Sequence, residues 1–582
     1  MTKQIISGIF PETFKLTAGH YYYYPPQDIE KAGSSISLKC AKNDWTACQV
    51  VVWMNEDYAV SVGNSEWVSQ TGFTNNLRFA AEMPFPCQVN IEGMMMDDDR
   101  FLKADILLSD PILEVKAKHP TGIWVEMQVP ADAQAGSYSG KVLLYEKRGF
   151  EAEQKIKEFA VELEVVDYVM PAAEDSRFYL DLWQHNSNLA RKAEVPLWSD
   201  EHFEVMERYV KTLGALGQKT VTLVMSEVPW AGQSCFHEIR DKGNLFEYSI
   251  VPIERDRDGK FHFDFSLAQR YIDLCAKYGI RDEISLYGLA NVVCEPRFEF
   301  VPTAPDYPDS LHVRYFDAAD GCYKYMTKAE EIDQYLKAIE EYFITTGQID
   351  RVRLAADEPD DVEKYRKSLE HIREIAPSFK FKAALNHVDF IKAFGEEVSD
   401  FVPWIQPMCE EYDKLMEYKR TMKGKRFLWY VCCGPDFPNS FLVNHLTEIQ
   451  FFGVLTSYAG LDGFLRWSYT IWNDSPREDI RFGIWRAGDT HLVYPAKNGY
   501  PLLSLRYKMM LRAVQQFNLL ERLKETAEKE VVQEAFDIVV REKDIRKYYK
   551  EADTLEKMCS VNGEDYEKLK FFVIEQLMKN KK

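Results

Sequence analysis

The sequence predicts an α/β protein with an all-β N-terminal domain: a β-sandwich, then a (β/α)8 barrel of the TIM type, then C-terminal helices. Three observations predict this order. Short strand-like runs separated by turn residues fill the chain to about residue 168, strand and helix patterns then alternate, and the chain beyond about residue 520 is charged and helical. We therefore predict a sandwich domain over 1–170, a catalytic barrel over 171–520 and a helical segment over 521–582.

The sandwich is predicted from β-branched and aromatic runs near the amino terminus. The clearest runs are residues 48–54, 122–129, 140–145 and 160–166. Segment 130–138, with Pro130 and Gly136, reads as a turn between two of these strands. Many short strands with such turns are typical of a β-sandwich, and Pro171 marks its end.

Eight apolar runs, most of them separated by helical patterns, predict the barrel. They are residues 178–183, 220–225, 283–287, 352–356, 381–385, 402–405, 427–430 and 463–467. One intervening helix, predicted over 266–278, has an apolar face and Gly279 as its stop. In such barrels the reactive groups lie where strands end and the following loops begin, so we expect the catalytic residues at the strand ends.

The C-terminal segment contains two helical patterns, at 521–543 and 564–579, each with one apolar stripe. A solvated helical cap on the barrel is favoured over a helix that binds a partner protein.

Composition and charge narrow the function classes. The chain has 582 residues, 46% hydrophobic, with 29 Gly and 25 Pro, which excludes a disordered or collagenous protein. With 71 Lys and Arg against 92 Asp and Glu, the net charge is -21. This excess repels phosphate backbones and anionic lipids, so we expect no nucleic-acid partner and no membrane partner. Neutral or cationic small molecules fit better.

The amino terminus and the cysteines indicate the compartment. Residues 1–11 contain no sustained apolar run, and no stretch approaches about 18 uncharged apolar residues, so we expect a cytoplasmic protein. The 11 cysteines are an odd number, with Cys432 and Cys433 adjacent, so free thiols are expected. No spacing resembles a zinc site, and we expect neither a metal nor an organic cofactor.

Two consecutive carboxylates, Asp357 and Glu358, close the fourth predicted barrel strand. They are expected at the carboxyl-end rim, where Pro359 holds Glu358 away from the helical region. The alternative is that they cap a helix, a role that Asp360 and Asp361 already fill. Position therefore favours catalysis.

Adjacent residues on an extended segment point to opposite sides, so Asp357 and Glu358 need not be the acid and nucleophile of a two-carboxylate retaining glycosidase. A substrate with a 2-acetamido group fits them better. Its carbonyl oxygen can attack the anomeric carbon, and the enzyme then needs one carboxylate to orient the amide and one acid for the leaving oxygen.

Other strand ends supply groups suited to a sugar. Aromatic faces stack on the C–H faces of pyranose rings, and Arg, Asn and Asp side chains hydrogen-bond hydroxyls. Core packing is favoured for Trp404 and Trp429, which lie inside apolar runs. A lone histidine is often structural, so the two histidines below are equally compatible with either role. The candidate substrate-binding residues are Trp183, His185, Asn386, His387, Tyr430, Arg466, Trp467 and Trp472.

Rival carboxylates near strand ends are Glu295, Glu410, Asp462 and Asp489.

The sequence lacks the motifs of several other classes of protein. Residues 237–241 lack the second histidine of a zincin helix, and residues 254–265 lack the last ligand of an EF-hand and read as a charged turn. Phosphate-binding loop, serine-hydrolase and dinucleotide motifs are absent from the sequence.

Four motifs follow one another along the predicted barrel: Asp357-Glu358-Pro359 and the segments 429–435, 463–467 and 488–495. In this order they resemble the family 123 glycoside hydrolases and a related bacterial catalytic domain of unknown function. The similarity covers about 175–520, and the preceding sandwich matches that family's usual architecture. Any one motif is weak, whereas four in the right order are fairly specific.

The resemblance implies a β-N-acetylgalactosaminidase that acts on oligosaccharides or glycolipid glycans and retains configuration through an oxazoline or oxazolinium intermediate. By that similarity Asp357 orients and polarises the acetamido group, and Glu358 is the acid and then the base. Two alternatives stay open: a barrel glycosidase of another specificity with a protein nucleophile, and a non-catalytic glycan-binding protein. The intact carboxylate pair disfavours the second.

Overall fold

The structure, a computed structural model, describes residues 4–19, 29, 31–63, 75–229, 246–291, 303–359 and 361–580. Across these ranges an all-β region comes first, followed by a parallel eight-stranded barrel with flanking helices. The predicted fold class is therefore confirmed. The division of the chain at residues 170 and 520 stays a prediction.

The N-terminal region forms two six-stranded sheets, with strand orders β1-β4-β10-β7-β8-β2 and β3-β12-β11-β6-β5-β9. Alternate residues of a strand face the same side, so Val50, Ile123 and Val125 point into the core between the sheets. The strands are β1 (Ile5–Pro11), β2 (Thr17–Ala18), β3 (Ser35–Lys42), β4 (Asp44–Met54), β5 (Tyr58–Val62), β6 (Asn75–Glu82), β7 (Cys87–Met96), β8 (Leu102–Leu107), β9 (Ile112–Val115), β10 (Pro120–Val129), β11 (Gly136–Arg148) and β12 (Gln154–Val169).

The barrel strands follow one another around the barrel in chain order, and the last strand lies beside the first. Each overlaps one of the eight runs predicted from the sequence, although the sixth strand shares only residues 402 and 403 with its predicted run, 402–405. They are β13 (Tyr179–Leu182), β14 (Thr220–Val224), β15 (Glu283–Tyr287), β16 (Val352–Asp357), β17 (Lys380–Leu385), β18 (Val398–Pro403), β19 (Arg426–Tyr430) and β20 (Gly463–Arg466).

The barrel is nearly closed between β13 and β14 by Gln218. Its side-chain amide accepts a hydrogen bond from the Leu182 N–H (2.9 Å) and donates one to the Leu182 carbonyl (3.1 Å). The Lys219 N–H donates to the carbonyl of Leu180 at 3.0 Å. A side chain thus supplies the pairing that a longer strand would otherwise make.

Inward-facing side chains fill the barrel in layers. At the carboxyl ends of the strands the uppermost layer, here called the mouth layer, contains an acid among aromatic residues. Four of its members pack in one cluster with Ala355, and Asp357 faces the same side as Ala355 because they are two residues apart on β16. The mouth layer comprises Trp183, Tyr287, Asp357, Tyr430 and Trp467.

Below the mouth layer the barrel interior is ionic. The buried Lys382 ammonium bonds to Asp181 and, at 2.8 Å, to Glu283. Nearby, Arg353 pairs with Asp400 at 2.6 Å. The apolar runs in the sequence do not predict this ionic layer. Its charges must be paired, because burying an isolated charge costs free energy.

Helices cover the barrel and form the C-terminal segment, in which Gly563–Asn580 buries Leu569, Val573 and Ile574. They are α1 (Asn186–Ala193), α2 (Asp200–Ala215), α3 (Ser266–Lys277), α4 (Ala329–Thr345), α5 (Val362–Ile375), α6 (Asp389–Ala393), α7 (Ile405–Glu410), α8 (Tyr412–Thr421), α9 (Leu446–Tyr458), α10 (Leu505–Thr526), α11 (Lys529–Val539), α12 (Leu555–Met558) and α13 (Gly563–Asn580).

Short strands outside the main sheets are Val228–Pro229, Phe246–Glu247, Ile253–Arg255, Phe261–Phe263, Arg314–Asp317, Cys322–Tyr325, Val493–Pro495 and Pro501–Leu503. Single 3₁₀ turns cover Ala173–Asp175, Ile349–Arg351 and Ile545–Lys547. Among the described helices, none is both long and apolar enough to cross a membrane. The nine cysteines in the described ranges are free thiols.

Candidate active site

Strand β16 delivers Asp357 to the mouth of the barrel. The residue is half-buried and ends the strand, and its main chain is fixed from both sides. The Asn291 side-chain amide donates a hydrogen bond to the Asp357 carbonyl at 2.5 Å, and the next residue, Glu358, donates its N–H to Ala384 on β17 at 3.0 Å. The strand end is thereby held against two neighbouring segments of the barrel.

Glu358 does not continue the strand, because its φ is 41°. The expectation that Asp357 and Glu358 lie on one extended segment is therefore wrong for Glu358. A positive φ is unfavourable for a residue with a Cβ atom, and such conformations cluster at functional sites. The turn lets the Glu358 carboxylate accept a hydrogen bond from the Tyr430 hydroxyl, so it meets the mouth layer that contains Asp357.

Tyr430 is a permanent hydrogen-bond donor at this position. It is 3% exposed, and burial, then the Glu358 carboxylate, raise the pKa of its phenol well above the ordinary value. Asp357 adds to the same shift. Both carboxylates therefore act on one phenol, whose proton stays on the oxygen and points to Glu358.

Capping of the following helix does not need either carboxylate. Asp361 is the N-cap of α5, and its side chain accepts hydrogen bonds from the backbone N–H groups of Glu363 (2.9 Å) and Lys364 (3.0 Å). The capping role predicted for Asp361 is confirmed, and Asp360 lies outside the described residues.

Trp183 and Trp467 stand in the mouth layer beside the carboxylates. Trp183 is 1% exposed and meets Tyr287 edge-on, with ring centroids 4.8 Å apart. Trp467 is 8% exposed and lies 5.5 Å from Trp485. These rings form the apolar wall of the barrel mouth.

Arg466 is fully buried and pairs with Asp489, with Nη2 and Oδ1 2.6 Å apart. Its other amino group donates to the Val431 carbonyl and to Asn439 Oδ1, both at 3.3 Å. Both partners belong to the segment that follows β19. We therefore assign Arg466 and the rival carboxylate Asp489 to positioning of this segment.

His185 and Trp472 lie behind the mouth. His185 is 1% exposed at the start of α1, and burial lowers its pKa to about 3, so the ring is neutral near pH 7. Trp472 is fully buried in the hydrophobic core, donates to the Val493 carbonyl at 2.8 Å and packs near Tyr209. We assign Trp472 a packing role.

Asn386 and His387 follow the end of β17 at the same rim. Asn386 is half-buried, and its Oδ1 accepts no hydrogen bond from any described residue. His387 is exposed. Both remain candidate contacts for a polar ligand at the mouth.

The rival carboxylates lie in different surroundings. Glu410 is exposed near the end of α7, and Asp462 precedes β20, at the opposite end of the barrel, where it pairs with Lys419 at 2.6 Å. Glu295 lies outside the described residues. Among the described rival carboxylates only Asp489 contacts the mouth layer. Its Oδ1 accepts a hydrogen bond from the Trp467 indole N–H at 3.2 Å.

Sequence reasoning missed three parts of the site. Asn291 follows the end of β15 and could have been found by extending the search of strand ends by a few residues. Trp485 comes from a distant irregular segment without any local signal. Trp404, predicted as a core residue, is half-buried at the mouth, whereas Trp429 is fully buried as expected.

Within the described ranges there is no group of three or more His, Cys, Asp or Glu side chains arranged to hold a metal ion. The expectation that the protein uses no cofactor stays a prediction.

Comparison with solved structures supports the fold described above. The fold matches a family 123 glycoside hydrolase from Clostridium perfringens that acts on glycolipid glycans, at 18% identity over 99% of this chain and 97% of that chain, with a TM-score of 0.72. A putative glycoside hydrolase from Bacteroides vulgatus ATCC 8482 is 12% identical over 84% of this chain and 78% of that chain, but its TM-score of 0.33 is too low to indicate a shared fold. A search of curated protein sequences finds no match.

Two family models match the sequence in the order of the two folded regions. The glycoside hydrolase 123 N-terminal domain matches residues 17–146, and the glycoside hydrolase 123 catalytic domain matches residues 183–523. The second match covers the barrel from the end of its first strand onward, includes both carboxylates and spans more than half of the chain. The chain therefore belongs to glycoside hydrolase family 123.

Proposed function

We propose that this protein is a retaining exo-glycosidase that removes terminal β-linked N-acetylgalactosamine, with the N-acetyl group of the substrate as the nucleophile. The observation that carries the proposal is the hydrogen bond from Tyr430 to Glu358, which the positive φ of Glu358 permits and which brings this carboxylate to the mouth layer that contains Asp357. One residue supplies a carboxylate inside the mouth, and the next supplies a second carboxylate at its edge.

In the first step the acetamido oxygen attacks the anomeric carbon, and the bond to the leaving oxygen breaks. Asp357 orients the acetamido N–H and stabilises the positive charge that develops on nitrogen. Glu358 donates a proton to the leaving oxygen. Since Glu358 Oε1 accepts a hydrogen bond from the Tyr430 hydroxyl, the proton that is transferred to the leaving oxygen belongs on Oε2.

In the second step Glu358, now a carboxylate, takes a proton from water, and that water attacks the anomeric carbon. The oxazolinium ring opens and restores the acetamido group, so the product keeps its configuration. Each step inverts the anomeric carbon once, and the protein forms no bond to the sugar.

The surroundings of the carboxylates suit a neutral sugar. The rings of Trp183 and Trp467 make the mouth layer aromatic, and Asn386 and His387 offer polar groups at the rim. The net charge of -21 is compatible with an uncharged glycan. The Clostridium perfringens relative acts on glycolipid glycans, and we extend that substrate class to this chain on the basis of family membership.

The test is a panel of aryl β-glycosides of N-acetylgalactosamine, N-acetylglucosamine and galactose. We expect hydrolysis of the first and no turnover of galactosides, which lack the nucleophile. Progressive fluorination of the N-acetyl methyl should lower the rate steeply, because fluorine weakens the carbonyl nucleophile.

The variant Asp357→Asn tests the role that the mechanism assigns to the Asp357 carboxylate. The loss of its charge should slow the first step on the order of 10²-fold, as for other electrostatic stabilisers. A flat response to fluorination, or a sugar trapped on a protein carboxylate, would reject the mechanism and favour a glycosidase with its own nucleophile.

A further inference from the structure

Two adjacent cysteines lie directly after the strand that carries Tyr430. Cys432 and Cys433 have their sulfur atoms 3.8 Å apart. Cys432 is half-buried and packs against the buried cluster that contains four of the mouth-layer residues, whereas Cys433 is exposed. Neither thiol has a part in the proposed hydrolysis.

The peptide segment around the two thiols is held by three hydrogen bonds, one of which comes from Trp404 at the mouth. The Cys432 N–H donates to the Gly434 carbonyl at 3.1 Å, and the Asn439 amide donates to the Cys432 carbonyl at 3.1 Å. Trp404 donates to the same Gly434 carbonyl at 3.1 Å. The peptide between the cysteines carries the Cys432 carbonyl, so its rotation breaks the bond from Asn439. The same movement displaces the segment whose Gly434 carbonyl accepts the hydrogen bond from Trp404.

We propose that Cys432 and Cys433 form a modification site, a vicinal dithiol that peroxide oxidises to a disulfide, and that this oxidation suppresses the activity of the adjacent site. The effect on activity rests on the proposed function, whereas disulfide formation does not. The sulfurs must approach from 3.8 Å to about 2.05 Å, which requires movement of the intervening peptide.

The chemistry starts at the exposed thiol. The hydrogen bond from Cys432 lowers the pKa of Cys433, which favours its thiolate. The Cys433 sulfur attacks one oxygen of hydrogen peroxide, the O–O bond breaks, and a sulfenic acid and hydroxide form. The Cys432 sulfur then attacks the sulfur of Cys433, the S–O bond breaks, and the thiol proton leaves with the hydroxide as water. Two thiols thus give up two electrons and reduce one peroxide to two waters.

The measurement is peptide mass analysis after peroxide treatment, with hydrolase activity recorded in parallel. Trypsin releases both cysteines in one peptide, residues 427–466, which contains no other cysteine. In the wild type we expect this peptide to become lighter by two hydrogen atoms. Activity should fall on the order of tenfold or more, because misplacement of active-site groups by about 1 Å can cost 10²-fold, and dithiothreitol should restore both.

Cys433→Ser should show neither the mass loss nor the reversible loss of activity. Cys322→Ser is the matched control, because Cys322 is also an exposed free thiol, in a hairpin remote in sequence. This variant should respond to peroxide as the wild type does.

A wild-type peptide that gains oxygen, or that stays reduced while Cys322 is oxidised, would contradict the proposal that peroxide converts the two thiols to a disulfide. Disulfide formation with unchanged activity would overturn its coupling to the site. If untreated protein hydrolyses no glycoside, the proposed function fails, and the mass change still tests the dithiol.

Discussion

At the scale of single residues, the proposed mechanism depends on the carboxyl group of Glu358. Glu358→Gln removes the transferable proton and keeps the side chain's shape. We expect hydrolysis of a natural disaccharide to fall by about 10²- to 10⁴-fold, the usual contribution of general acid catalysis. Aryl substrates with activated leaving groups should lose less, because they need little protonation. The measurement is kcat for both substrates.

Glu410→Gln is the control for that substitution, since Glu410 is exposed on α7 and interacts with Gln406 on the same helix. It should retain wild-type kcat, and both variants should unfold at the wild-type temperature. A Glu358→Gln variant with wild-type turnover of the disaccharide would remove Glu358 from the role of acid.

Also at the residue scale, Asn291 is a positioning residue for Asp357. Asn291→Gly deletes the hydrogen bond to the Asp357 carbonyl and tolerates the φ of 51° at this position. We expect kcat to fall about tenfold, the equivalent of about 1.4 kcal/mol and within the net range of a hydrogen bond. KM should change little, because the bond acts on the reacting group.

Asn43→Gly provides a matched control for this prediction. Asn43 also has a positive φ, 53°, and its amide also donates to a backbone carbonyl, that of Met170 at 2.8 Å. It lies in the N-terminal region, so its loss should change stability alone. If both variants lose kcat equally, Asn291 has no special role at the site.

At the scale of elements, α10 joins the barrel to the N-terminal sheet through a buried ion pair. Arg506 on α10 and Asp105 on β8 are both fully buried and 2.8 Å apart, and the hydroxyl of Tyr494 also donates to Asp105 at 2.5 Å. Asp105→Asn leaves the guanidinium charge buried without its counter-ion. We expect the free energy of unfolding to fall by about 3 to 5 kcal/mol.

Asp110→Asn is the matched comparison, because Asp110 also pairs across the two regions, with Arg477 at 3.1 Å, but is 61% exposed. Its cost should be below about 1 kcal/mol, since solvent screens exposed pairs. Urea unfolding of both variants measures the difference, and equal costs would contradict the assigned role of burial.

At the scale of the whole molecule, Glu92 makes stability depend on pH. Its carboxyl is fully buried, neither oxygen accepts a hydrogen bond from a described residue, and burial raises its pKa to about 8 from 4.5. The folded protein therefore keeps a proton that the unfolded chain releases. The stability contribution of Glu92 is complete below about pH 4.5 and is lost as pH rises through about 8.

Glu92→Gln removes this titration. Relative to the wild type, the variant should gain stability between pH 5 and pH 8 by about 1.4 kcal/mol per pH unit. Thermal unfolding across this range measures the change. Glu114→Gln, at an exposed position on β9, should show no such trend, and a parallel pH profile for wild type and Glu92→Gln would contradict the prediction.

Features of the fold that have local causes could be predicted from the amino-acid sequence. Short apolar runs that alternate with helical patterns located all eight barrel strands, and a strand end followed by a helix start located Asp357, Glu358 and the cap Asp361. Strand and helix formation depend mainly on residues close in the chain, so their signals are readable without a fold.

The assembly of these elements into a site depends on contacts between residues that are distant in the chain. Tyr430, 72 residues beyond Glu358, donates to its carboxylate, and Arg466 reaches Asp489 rather than the mouth. The turn at Glu358 is also non-local, since an unfavourable φ persists only where surrounding contacts hold it. Periodic patterns in the sequence do not predict contacts of this kind. These contacts depend on how the elements pack and on the free-energy cost of burying an unpaired polar group.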